Sequence, residues 1–101
     1  MKKIFQIVSI IEIDNQIRSN FDFKLGNSKE EVMTPYGEWV NDDNTEVFAM
    51  EVCEETVEDY ISHCRELIDY WRLKDDKHKN IIISRLSNLI ILYEDLLREV
   101  G

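Results

Sequence analysis

Lysine and arginine are missing from the 35 residues that run from Glu30 to Cys64, in a chain of 101 residues that carries 12 of them elsewhere. That absence excludes the segment as a grip on nucleic acid or on an anionic membrane, since both need cations at the surface. Proline occurs once, at Pro35, and glycine three times, which leaves no linker and no low-complexity tract. Cysteine occurs twice, as Cys53 and Cys64, enough for one bridge at most. No apolar run reaches the length that spans a bilayer. A phosphate-cradling glycine loop, a nucleophile elbow and a calcium-loop order of ligands are all missing as well.

What fills the base-free window is acid. Glu30, Glu31, Glu38, Asp42, Asp43, Glu46, Glu51, Glu54, Glu55, Glu58 and Asp59 all lie inside it. The other residues hold ten acids against twelve bases, so the net charge of −9 belongs to one region of an otherwise nearly neutral chain. Concentrated negative charge draws in basic surfaces at rates that fall with added salt.

The length suits one compact domain over residues 1–101, folding without metal or disulfide staples. Met1-Lys2-Lys3 followed by Ile4–Ile13 superficially has the charged start and apolar stretch of a secretory signal. Gln6, Ser9 and Glu12 interrupt it, and no small-residue cleavage site follows. The expectation is a cytoplasmic protein with reduced thiols.

Ile4–Ile13 is dense in β-branched residues, which suit a pleated strand, and its apolar side chains fall on both faces. That pattern predicts a central strand over about 3–13. Asp14-Asn15 tolerate the left-handed backbone of a tight turn, and strict alternation from Ile17 through Leu25 predicts a second strand over about 16–25. Gly26-Asn27 closes the hairpin. Residues 28–44 read as a long loop with one helical turn, in which Ser28 caps and Glu31 occupies the capping-box position before Pro35 and Gly37 end it. A third strand is expected over about 45–53.

Beyond it the apolar period becomes helical. Val57, Tyr60 or Ile61, Cys64, Leu67 or Ile68 and Trp71 mark one amphipathic helix over about 55–74, with acids in its first turns and Arg72 and Lys74 at its end, as the helix dipole favours. After the polar connection Asp75–His78, a second helix over about 79–100 is apolar on a wider arc and is expected to be the more deeply buried of the two. The fold class is α+β: a three-stranded antiparallel sheet packed against a C-terminal antiparallel helix pair.

No metal is expected, because Cys53, Cys64, His63 and His78 lack the spacing of a zinc site. No cofactor and no catalytic residue are expected either, since the many carboxylate pairs have no neighbouring base to tune them. The partner-binding candidates are Tyr36 and Trp39, as apolar anchors in the loop, ringed by Glu38, Asp42, Asp43, Glu46, Glu51, Glu54, Glu55, Glu58 and Asp59. Tyr60 and Trp71, on the helical stripe, are expected in the core. The window crosses loop, strand and helix, so its acids are expected to converge on one end of the domain.

The function expected from this character is non-enzymatic. It is a small protein inhibitor, such as a bacterial immunity protein or antitoxin, that covers the cationic surface of a toxin, a nuclease above all. Two alternatives share some of its features. One is a nucleic-acid mimic of the phage-inhibitor type, which needs carboxylates spaced like phosphates. The other is a regulatory or structural subunit that dimerises through the last helix, so that both monomer and homodimer stay open.

Overall fold

The computed structural model describes residues 2–37 and 43–100, and these form two compact units, one through Val52 and one from Cys53. The first holds strands β1 (Lys3–Ile13), β2 (Gln16–Gly26) and β3 (Thr45–Val52), a short helix α1 (Lys29–Met33) and a 3₁₀ turn over Thr34–Tyr36. The second holds helices α2 (Glu54–Arg72) and α3 (Lys79–Val100). The class is α+β, with a three-stranded antiparallel sheet in the order β2-β1-β3.

Asp14 and Asn15 both adopt positive φ, 52° and 63°, so the hairpin turns in two residues and pairs Ile13 with Gln16. A left-handed pair of this kind matches the twist of the flanking strands, and Asp and Asn tolerate it better than branched residues. The tight turn fixes the register, which aligns Phe23 with Gln6 and Leu25 with Ile4.

Central β1 buries neighbouring residues Ile4 and Phe5, whose side chains point to opposite faces of the sheet. On the face of Phe5 and Ile7, α1 and the 3₁₀ turn supply Val32, Met33 and Tyr36, and β3 supplies Val47 and Ala49. This is the core of the sheet unit. α1 is held over it by a local capping network. The Glu31 amide donates to Ser28 Oγ at 3.2 Å, and Glu31 Oε2 accepts from the Asn27 amide at 2.6 Å. The expected capping box is present with its return bond shifted by one residue, onto the amide before the cap. Gly26 ends β2 where the chain passes against α1, because a Cβ there would lie 2.5 Å from Val32 Cγ1.

β2 is an edge strand, and its own side chains blunt it. The amides of Phe21 and Phe23 donate to Asn20 Oδ1 and Asp22 Oδ1 at 2.9 and 2.8 Å. An added strand would have to compete with those bonds.

In the helical unit, Tyr60 stacks edge-to-face on Tyr93 with centroids 5.7 Å apart, Arg65 pairs with Glu94, and Lys79 Nζ donates to the Arg72 carbonyl at 3.1 Å. Contacts near the start of α2 reach the end of α3, and the contact at the end of α2 reaches the start of α3, so the two helices make an antiparallel pair. Asp76 starts α3 by accepting the His78 amide on Oδ1 at 2.7 Å. α2 begins at Glu54 and stops at Arg72, two residues short of the expected end, because the Leu73 and Lys74 amides turn back to the carbonyls of Tyr70 and Trp71.

The burial order of the two helices reverses the expectation. α2 buries Val57, Ile61, Cys64 and Ile68, whereas α3, despite its wider apolar arc, buries only Tyr93. Ile81, Ile91 and Leu92 are each more than half exposed. The arc measures how much apolar surface the helix offers, not how much its own chain covers. Among the described residues, no helix is long and apolar enough to cross a membrane.

Candidate functional site

The sheet register decides where each acid of the first unit goes. Glu46 pairs with Ile10 and Glu51 with Phe5, an odd number of residues apart on β3, so their side chains stand on opposite faces. Glu51 is the member of the window that has an ion pair among the described residues, with Lys3 Nζ at 3.9 Å, both side chains being exposed. Such a pair stabilises little. Glu31 is engaged in the cap of α1, and Glu30 is exposed beside it.

At the hairpin end of the sheet, Asp43 and Glu46 meet a third carboxylate from outside the window, Glu12. The Glu12 amide donates to the Asn44 carbonyl at 2.9 Å, which ties the entry of β3 to β1. Together with Ile10, Ile17 and Thr45 these three acids line a shallow hollow of about 190 Å³. Its lining sets the apolar side chains of Ile10 and Ile17 beside the three carboxylates. Glu12 was not legible as a site residue, since it is distant in sequence and reaches the others only through the β1–β3 register.

In the second unit, Glu54, Glu55, Glu58 and Asp59 occupy the first turns of α2 and are all exposed. At 3.6 residues per turn they span an arc of about 140° that flanks the buried stripe of Val57, Ile61 and Cys64. Helix geometry thus gathers four acids that are contiguous or nearly so in sequence, at the end of the helix where the dipole is complemented by negative charge. Six acids of the window thus gather in two carboxylate patches, Asp43 and Glu46 in the first unit and the four of α2 in the second.

The anchor residues fare differently. Tyr36 is half-buried and packs on the cluster of Phe5, Ile7, Val32 and Val47, with Lys24 Nζ 4.9 Å above its ring. Its apolar face is spent on the core of its own unit. Trp39, Glu38 and Asp42 lie outside the described residues. Of the two stripe aromatics, Tyr60 is half-buried against Tyr93, and Trp71 is half-buried with Lys74 Nζ 4.5 Å over its ring.

Among the described residues, no three His, Cys, Asp or Glu side chains converge on a position that could hold a metal ion. Both cysteines are free. Cys53 is the exposed N-cap of α2, with Sγ 3.4 Å from Thr56 Oγ1. Hydrogen bonds from the Thr56 hydroxyl and amide favour its thiolate and hold its pKa below that of an ordinary thiol. Cys64 is buried on the α2 stripe, and burial pushes its thiol up. The expected outcome with a chromogenic disulfide reagent is one fast equivalent from the native protein and a second only after denaturation. The pH midpoint of the fast phase should lie below that of free cysteine, because the thiolate is the reacting form. A fast phase that survives Cys53→Ser would contradict this assignment.

Compared with protein-family models, with curated proteins and with solved structures, the chain gives no match.

Proposed function

We propose that this protein is a small acidic binding protein that neutralises a basic protein partner, in the manner of an immunity protein or antitoxin acting in the cytoplasm on a cationic toxin, a nuclease above all. One observation carries the reading. All nine described carboxylates between Glu30 and Asp59 are exposed, and only Glu51 is neutralised by a base of the same chain. Leaving so many like charges unpaired raises self-repulsion, a cost that a basic partner removes. A nuclease has to be cationic where it holds phosphate, so an acidic protein that covers that surface is steered to it and blocks substrate in one event. Such inhibition needs no chemistry from the inhibitor.

The experiment uses the basic protein that co-purifies with this chain from its own cells. Association of the purified pair is followed by stopped flow between about 50 and 500 mM salt. Glu54, Glu55 and Glu58 are changed to Gln and Asp59 to Asn, neutralisations that avoid placing cations at the amino-terminal end of the α2 dipole. The expected result is association slowed about tenfold or more at low salt, with a flatter salt dependence. An unchanged rate and slope, both for this variant and for Asp43→Asn/Glu46→Gln, would end the acidic-surface reading.

A further inference from the structure

α3 carries a seam that its own chain covers only in part. Leu89, Leu92 and Leu96 follow the 3–4 spacing that lines up on one side of a helix, displaced from Tyr93, which faces α2. Leu92 is 54% exposed, and Leu89 and Leu96 are only half-buried. Arg85 lies seven residues before Leu92 and Glu99 seven residues after it, two turns away in each direction and on the same side. Both are exposed, and neither has an ion pair within the described residues. Arg65, Arg72 and Arg98 each have one.

We propose that α3 pairs antiparallel with α3 of a second copy of this chain, about a two-fold axis through Leu92. In that arrangement Leu92 meets Leu92, Leu89 meets Leu96, and Arg85 meets Glu99 of the other copy at both ends of the contact. The charges choose the orientation. A parallel pairing sets Arg85 against Arg85 and Glu99 against Glu99, so the same two residues that favour the antiparallel dimer oppose the parallel one. An isologous contact of this kind closes at two copies and leaves no open surface for further growth. The seam is short, about 21 Å from Arg85 to Glu99 at 1.5 Å per residue, which suits a dimer that dissociates in the micromolar range. This inference stands on α3 alone and is independent of the acidic patches.

Sedimentation equilibrium of the whole protein from about 1 to 300 µM tests it, bracketing the expected dissociation range. The expected result is a monomer–dimer equilibrium that Arg85→Glu and Glu99→Arg each weaken by about tenfold, and that the double swap restores to near the wild-type constant. Leu92→Asp sets two carboxylates on the axis and should give a monomer whose far-ultraviolet helix signal is unchanged. A monomeric wild type at the highest concentration overturns the proposal. So does a double swap no tighter than the single variants, or a Leu92→Asp protein that dimerises like the parent.

Discussion

Phe5→Ala is expected to remove about 3–5 kcal/mol of folding stability, the usual cost of emptying a buried aromatic site. Phe5 is 2% exposed, sits on the central strand and touches the cluster that joins β1 and β3 to α1. Its neighbours cannot collapse into the gap, because Ile7 and Val47 are fixed by the sheet ladder and Val32 by a capped helix. Small domains have a total stability of about 5–15 kcal/mol, so the loss is a large part of what there is. Phe48→Ala is the internal control. Phe48 is on neighbouring β3 but on the other face, opposite Val8, and 37% of it is exposed, so its truncation should cost under about 1.5 kcal/mol. Urea midpoints read by far-ultraviolet circular dichroism decide the matter. Equal losses for the two variants would mean that the Phe5 cluster is not the dominant core of the sheet unit.

The contrast between these two phenylalanines marks what the sequence can say. β-Branched and aromatic content placed Phe5 and Phe48 on strands, and Asp14-Asn15 set the hairpin to the residue. The local signals around Ser28 and Glu31 also held, because a cap involves groups only a few residues apart. What covers a face is a different kind of information. Tyr36 stands in a polar, proline-containing loop and reads as a free anchor, yet it completes a core whose other members come from β1, β3 and α1. The wide arc of α3 reads as depth of burial, yet only Tyr93 is buried. The expected convergence of acids failed within the sheet unit for a related reason. The base-free window is continuous in sequence, but the pleat sends Glu46 and Glu51 to opposite faces, while Glu12 joins Asp43 and Glu46 from far outside it. Periodicity names the residues that share a side of one element. Register between elements decides which sides meet, and it is a property of the pair rather than of either strand alone.

Gly26 offers the sharpest test of such a non-local contact. Gly26→Ala is expected to cost about 2–3 kcal/mol, near the top of the range for overpacking a core site. Backbone conformation is not the obstacle, because no glycine of the described residues has a positive φ. The obstacle is Val32, whose Cγ1 would lie 2.5 Å from the new Cβ. Val32 is buried, and a β-branched side chain in a helix has one strongly preferred rotamer, so it cannot swing away. α1 would have to lift instead, which would strain the Ser28–Glu31 cap and open the cluster beneath. Val32→Ala alone should cost about 1–2 kcal/mol through the cavity it leaves. Combined with Gly26→Ala, it gives the new methyl that space, so the double variant should be at least about 1 kcal/mol more stable than the sum of the two losses predicts. Denaturant midpoints of the four proteins supply the cycle. Strict additivity would show that the glycine is required for some reason other than the close approach of α1 to the end of β2.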